Sequence, residues 1–394
     1  MDPVKNPFAP GAGTPPPELA GRGDIIARAE TTFARVREAR AAKSFLFVGL
    51  RGVGKTVLLN RMNEIAEAQK YKSVFVEASE NKDLAVLLYP HLRQLLLSLD
   101  RMQNLSEQVK RALRVLKSFG NAVKIKYAEV EVGLDIDPET GTADSGDLEA
   151  DIPELMLAVA EAAASRKIPV ALIIDEMQYL TEDELSAIIT ATHRINQKQL
   201  PLILVGAGLP QLVGLTGKAK SYAERLFDFP RVGALTTMDA RNALQGPARR
   251  EGSEFSDEAL TEIIRITEGY PYFLQEWGYH AWNMAPGSPI QIDTIEHGHR
   301  AVTERLDESF FRVRFDRLTP SEKDYLRAMA ELAGPRRSGD IAAVLGVQGP
   351  SVAPRRSGLI KKGMIYSPAH GDTEFTVPLF DQFMKRIMPT WKPR

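Results

Sequence analysis

The chain has 394 residues, with 50 Lys+Arg against 51 Asp+Glu, a formal net charge of −1 and no cysteine. That length supplies two or three domains with a core, and the missing thiols exclude a disulfide framework, thiolate catalysis and Cys-ligated zinc. The near-neutral sum hides an asymmetry: Arg317 to Arg394 holds 13 Lys+Arg against 7 Asp+Glu, the remainder 37 against 44, so the C-terminal end is a candidate polyanion surface.

The N-terminal stretch lacks the basic-then-apolar order of a secretion signal, and no run of about 18 apolar residues occurs, so a soluble cytoplasmic protein without membrane attachment is expected. Residues 1–20 contain Pro3, Pro7, Pro10 and Pro15 to Pro17 and read as an extended lead-in, because proline withholds the N–H that a helix or central strand needs. Gly21-Arg22-Gly23-Asp24-Ile25-Ile26 opens an amphipathic helix to about Ala42, with Asp24 near its cap. Phe45 to Val48 then reads as a buried strand, Gly49-Leu50-Arg51-Gly52-Val53-Gly54-Lys55-Thr56 as a loop, and Val57 to Met62 as a helix.

Strand, glycine loop and helix in this order are the P-loop context for a nucleoside triphosphate. Glycines let backbone N–H groups turn inward around phosphates, and the helix start adds its positive end. Lys55 would reach the β- and γ-phosphates, and the Thr56 hydroxyl would hold Mg2+. The expected nucleotide-binding residues are Gly49, Arg51, Gly52, Val53, Gly54, Lys55, Thr56 and Val57.

Ser73 to Glu77 reads as a second strand, and Leu84 to Phe119 as helix whose spaced leucines belong to a core. Val123 to Val132 alternates with period two and predicts a strand or hairpin. The acidic loop Asp135 to Asp151 is a solvated connector or a metal site, although Asp135, Asp137, Glu139 and Asp144 lack EF-hand spacing. Residues 99–151 read as an insertion, because Lys55 and Asp175 lie 120 positions apart.

Pro169 to Glu176 is a fully apolar strand ending in two carboxylates at the end where parallel α/β sheets place ligands. Asp175 would join the Mg2+ shell, and Glu176 would polarise the water that attacks the γ-phosphate. A helix carrying Leu185, Ile188, Ile189 and Thr192 leads to the strand Leu202 to Val205, which ends Gly206-Ala207-Gly208; Ala223 to Val232 leads into a final strand. Thr236 to about Asp316 is helical, with breaks expected at Gly246-Pro247, Gly252 and Pro286 to Pro289.

In the last segment, Thr319-Pro320-Ser321-Glu322 starts a helix with a cap and a proline in its first turn. A short helix, Gly339 to Leu345, precedes a basic one from Ser351 to Gly363, and Met364 to Tyr366 pairs with Glu374 to Val377. This order reads as a winged helix, whose second short helix enters the DNA major groove. Arg355, Arg356, Lys361 and Lys362 are the expected DNA contacts, the two arginines suiting guanine edges or phosphates. Pro354 must lie in the first turn or distort that helix. Winged helices also dock protein, which leaves a protein partner open.

With these motifs in one order the chain resembles the AAA+ ATPases of the origin-recognition and helicase-loader group. It is similar in particular to the bacterial and archaeal ATP-binding proteins in which Asn6-Pro7-Phe8 and Gly21-Arg22 precede the core and Asp175-Glu176-Met177-Gln178 marks the second carboxylate motif. The resemblance implies an α/β P-loop NTPase (AAA+-like) core of parallel sheet at 21–234, an all-helical lid at 235–316 and a C-terminal winged helix at 317–394. It implies ATP and Mg2+ as ligands, Gly21 and Arg22 against adenine, and a homo-oligomer in which Arg225, with Arg231 in reserve, is the finger set beside a neighbour's γ-phosphate. Lys55, Glu176 and Arg225 are then the catalytic set.

Two features depart from the group. Gly206 to Gly208 stands where a polar sensor is expected, with Gln211 or His193 as substitutes, and Tyr272 stands where many lids carry the arginine of Gly-x-Pro-Arg. Both departures resemble STAND-type signalling ATPases. The expectation is an ATP-hydrolysing switch that self-assembles and binds duplex DNA; the alternative is a signalling ATPase whose winged helix docks protein.

Overall fold

Among the described residues, five strands set the architecture of one compact unit, formed by Gly23–Val48 and Leu58–Arg231 in a computed structural model. The structure describes residues 1–11, 13–100, 105–125, 137–334, 336–369 and 371–392. Strands β1 (Ser44–Val48), β2 (Lys72–Glu77), β3 (Val170–Asp175), β4 (Leu202–Gly208) and β5 (Phe227–Asp228) form a parallel sheet in the order β2-β3-β4-β1-β5. β1, β3 and β4 are buried at every residue, as their unbroken apolar runs require of strands covered on both faces.

The helices of this unit are α1 (Gly23–Arg37), α2 (Lys55–Ala68), α3 (Leu84–Leu99), α4 (Glu107–Ala122), α5 (Leu148–Ser165), α6 (Glu182–Gln197), α7 (Leu212–Ala219) and α8 (Ala223–Leu226). The first turn of α2 belongs to the P-loop and so to the other unit. α1 stops at Arg37, short of the expected Ala42, where Ala39 turns left-handed. The helical run expected from Leu84 to Phe119 is two helices. Asp100 breaks it: its carboxylate accepts the Ser106 N–H (2.9 Å) and pairs with Arg166 (2.8 Å), and Ser106 then caps α4.

Leu113 and Phe119 on α4 and Ile152 on α5 share one core with Leu92 and Leu96 on α3, so the segment expected as an insertion is packed into this unit. Most of the expected strand or hairpin at 123–132 lies outside the described residues, as does Asp135. In the acidic loop, Asp144 accepts the Gly141 N–H (2.7 Å), and buried Asp151 accepts from the Ser145 hydroxyl (2.7 Å) and the Gly146 N–H (2.8 Å). These carboxylates close turns ahead of α5.

The second unit comprises Met1–Arg22, Gly49–Val57 and Val232–Arg394. Its lead-in is anchored: Phe8 is buried against Gly278, and the Asn6 amide donates to the Tyr279 carbonyl (3.0 Å). Helices α9 (Thr237–Arg250), α10 (Asp257–Thr267), α11 (Pro271–Met284) and α12 (Ile292–Leu306) follow, then a π-helical turn, Asp307–Phe311, and α13 (Arg312–Phe315). The expected break at Gly246-Pro247 does not occur. Pro247 is buried within α9, and its packing offsets the one helix bond it withholds.

The C-terminal part contains α14 (Pro320–Glu331), β6 (Arg336–Arg337), α15 (Ser338–Val344), α16 (Ala353–Lys361), β7 (Ile365–Tyr366), β8 (Asp372–Phe375) and α17 (Phe380–Ile387). A capping box of Thr319 and Glu322 with Pro320 at the first position starts α14, and Pro354 lies in the first turn of α16, both as the sequence requires. The three short strands form an antiparallel sheet in the order β6-β8-β7. β6 and α17 were not expected; Phe380, Phe383 and Met384 of α17 complete a core shared with Phe311 and Tyr325.

Candidate functional site

The P-loop begins where β1 ends. A Cβ at Gly49 would lie 2.0 Å from the Val232 carbonyl oxygen, so only glycine lets the chain turn there. Gly52 and Gly54 are left-handed, at φ 77° and 90°, and among the described residues no heavy atom lies within 4 Å of the position a Cβ on Gly54 would take. This is backbone presented without side chains, as close phosphate approach demands. Lys55 is only 7% exposed, and its ammonium donates to the carbonyls of Gly49 (3.0 Å) and Leu50 (2.9 Å). α2 starts at Lys55, with Thr56 and Val57 in its first turn. The donor set fits a triphosphate with Mg2+: a cation, a hydroxyl and helix N–H groups around exposed glycine backbone.

The loop is fastened from two sides within its unit. The Gly52 carbonyl accepts the Tyr272 N–H (3.1 Å) at the start of α11, and the Arg51 N–H donates to the Thr376 carbonyl (2.9 Å) just after β8. Thr376 is itself fully buried, with its hydroxyl donating to the carbonyls of Gly363 (2.6 Å) and Met364 (3.0 Å). Tyr272 stacks on Phe310 at 4.4 Å and donates its hydroxyl to Glu276 (2.8 Å); burial and the Glu276 carboxylate push its phenol well above the usual range. The tyrosine in the arginine's expected position is thus a packing residue that ties α11 to the loop.

Arg22 donates to the Gly233 carbonyl (2.6 Å), and burial lowers its pKa against the opposing pull of Asp239. Gly21 is left-handed (φ 67°) beside the same Asp239, within the same unit as the P-loop. Both are structural joints before α1.

The carboxylate pair sits at the end of β3. Asp175 is 3% exposed and accepts the Glu176 N–H (2.8 Å). Glu176 is left-handed (φ 53°, ψ 36°), a conformation that costs a non-glycine residue about 1–3 kcal/mol. Glu77, opposite Asp175 in the β2–β3 register, has its carboxyl pushed up by burial and then by the charges of Asp175 and Glu176. Gln178 closes the carboxylate motif in the sequence, which gives it no role there. Its amide donates to the Glu176 carboxylate and its carbonyl accepts the Leu209 N–H (3.0 Å). Of the two expected substitutes for the sensor, His193 packs its ring on Tyr222 (4.8 Å), and Gln211 buries a carbonyl oxygen with no hydrogen-bond partner among the described residues.

Arg225 is exposed in the last turn of α8, just before β5. Asp228, one partner that would have made it an ordinary surface pair, is bonded by Arg28 (2.8 Å). Arg231 is exposed and bridges to Val48 through backbone.

The four basic residues of the C-terminal part separate into two pairs. Arg356 donates to Thr373 (3.1 Å), Ser367 (2.8 Å) and the Asp372 carbonyl (3.1 Å), pinning α16 to the hairpin. Lys362 pairs with buried Glu322 at 2.7 Å. The arginine fork expected from sequence is therefore not presented as a pair. Lys361 is exposed and Arg355 half-buried on α16, and Arg337, 73% exposed by side chain, joins them on the surface of the module.

The sheet order, the loop after β1 and the carboxylates after β3 define the P-loop NTPase fold. More particularly, residues 18–205 match the family model described as the AAA ATPase domain. Residues 308–384 match a domain of unknown function, DUF8462. A curated relative, an uncharacterised HTH-type transcriptional regulator of Methanocaldococcus jannaschii, is 20% identical over 346 residues, covering 83% of this chain and 79% of its own. Among solved structures, the Walker-type ATPase of Pyrococcus abyssi superposes with TM-score 0.51 at 15% identity, covering 93% of this chain and 96% of the other. ORC2 of Aeropyrum pernix in its ADP form gives TM-score 0.53 at 14% identity, covering 96% and 98%. At such identities the structural likenesses establish the fold alone. Among the described residues, no helix is long and apolar enough to cross a membrane.

Proposed function

We propose that the protein is an ATP-hydrolysing switch that assembles with copies of itself and acts on duplex DNA. The observation that carries the nucleotide part is the P-loop: left-handed Gly52 and Gly54 with a buried Lys55 at the head of α2. Lys55 would hold the terminal phosphates, and Thr56 and Asp175 are the residues proposed for Mg2+. Mg2+ supplies neutralisation of charge on the transferring phosphoryl group. Glu176 would accept a proton from the attacking water. Arg225, exposed and ahead of the last core strand, is proposed as the finger offered to a neighbouring copy.

Switching needs a ligand whose affinity differs between two states. The bonds from Arg51 to Thr376 and from Tyr272 to Gly52 support one route, since a change in the loop alters the footing of both the C-terminal hairpin and α11. The helix, strand, helix, helix and hairpin order of residues 320–375 supports a winged helix, and the HTH-type relative supports DNA over protein as its partner. One observation favours the other reading, a signalling ATPase with a protein-docking winged helix: Arg356 and Lys362 are engaged inside the fold.

Nucleotide binding and turnover by point variants test the core of this reading. Lys55→Ala should lose ATP binding, whereas Glu176→Gln should keep binding and stop turnover. Equal behaviour of the two would contradict the roles assigned. Arg225→Ala should retain ATP binding but lose assembly and any stimulation of turnover by DNA.

A further inference from the structure

β4 ends on glycines for a reason that lies in the neighbouring strand's turn. A Cβ on Gly206 would meet Met177 Sδ at 2.1 Å and Leu46 Cδ2 at 2.6 Å; one on Gly208 would meet Gln178 Oε1 and Leu212 Cδ2, each at 3.0 Å. The glycines are the space in which Met177 and Gln178 lie, so no polar side chain fits at position 206 in this packing. Gln178 occupies the gap. Its Oε1 accepts the N–H of Leu209, the first residue beyond β4, and a carboxamide so fixed must turn its NH2 the other way. There it meets Glu176 Oε2.

We propose that Gln178 is the positioning residue of the Glu176 carboxylate, joining it to the end of β4 in place of a sensor side chain on that strand. The proposal rests on the reading of Glu176 as general base. Glu176 is left-handed and leaves the extended path of β3, and the Gln178 amide holds its carboxylate there. A donor to a carboxylate is among the stronger hydrogen bonds, and its loss frees the acid to point away from water. A shift of β4 would be felt at Glu176 through the Gln178 side chain.

The test is steady-state ATP turnover and fluorescent-nucleotide binding for wild type, Gln178→Ala, Gln178→Glu and Glu176→Gln, each across pH. Gln178→Ala should lower kcat about tenfold to a hundredfold with nucleotide Kd unchanged. Gln178→Glu removes the amide donor and sets a second carboxylate against Glu176, so it should lower kcat at least as far as Gln178→Ala, again with nucleotide Kd unchanged. A Gln178→Ala enzyme with wild-type kcat overturns the proposal, as does a loss of nucleotide binding in proportion to turnover, which marks a purely structural residue. A Gln178→Glu enzyme with wild-type kcat likewise overturns it. If Glu176→Gln turns over like wild type, the general-base reading itself falls, and that result is distinct from the other three.

Discussion

Positions 206 and 208 show how much one methyl group decides. Gly206→Ala must displace Met177 and Leu46, which lie 2.1 and 2.6 Å from the new carbon, in a core that has no slack. We expect it to destabilise the protein by about 1–3 kcal/mol, read by chemical denaturation. Gly208→Ala meets Gln178 Oε1 and buried Leu212 Cδ2, each at 3.0 Å, so it should cost less stability than Gly206→Ala yet lower turnover through Glu176. Lys55, Thr56, Asp175 and Glu176 were legible in sequence because their chemistry is local, written in one loop and one strand end. Gln178 was not, because its meaning depends on the register that sets Ile174 opposite Gly206. Arg356 and Lys362 were legible as charges but not as joints, since their partners at Thr373 and Glu322 lie far along the chain.

At the scale of elements, short helices stay in place through such joints. Lys362, at the end of α16, holds Glu322 in the first turn of α14. Burial works against ionisation of Glu322, yet the Lys362 ammonium and the Thr319 N–H and hydroxyl hold its carboxyl below the usual range. The folded state therefore loses that proton more readily than the unfolded chain. The resulting stability is full above the ordinary glutamate pKa and is lost as pH falls through the lower folded value. Lys362→Ala should lower stability by about 1–3 kcal/mol at neutral pH, with the deficit shrinking on acidification; a gap independent of pH in thermal melts would contradict this.

The same reasoning applies to Thr376, whose hydroxyl donates to two carbonyls of the β7 approach. Thr376→Val should destabilise the hairpin by about 1–3 kcal/mol and change ATP affinity, though the residue is remote in sequence from the P-loop. An unaltered nucleotide Kd would separate hairpin from loop. Sequence periodicity identified the core strands and most helices here. It missed the Asp100 break and the continuity of α9 through Pro247, because capping bonds and burial of a proline ring override local propensity.

For the whole molecule, charge and connectivity point the same way. The basic balance from Arg317 to Arg394 falls in the part that also supplies Thr376 to the P-loop, so the proposed DNA module and the P-loop belong to one compact unit. Arg337, Arg355 and Lys361 are the cations we propose for phosphate contact. Replacing all three by alanine should flatten the salt dependence of DNA binding by about one unit of slope for each side chain that had neutralised a phosphate. The most direct measurement is the equilibrium affinity for duplex DNA with ATP and Mg2+ and with ADP, repeated over a range of salt. The account predicts tighter binding with ATP and a logarithmic affinity that falls linearly with the logarithm of salt concentration. No DNA binding of note, or the same affinity with either nucleotide, would contradict it.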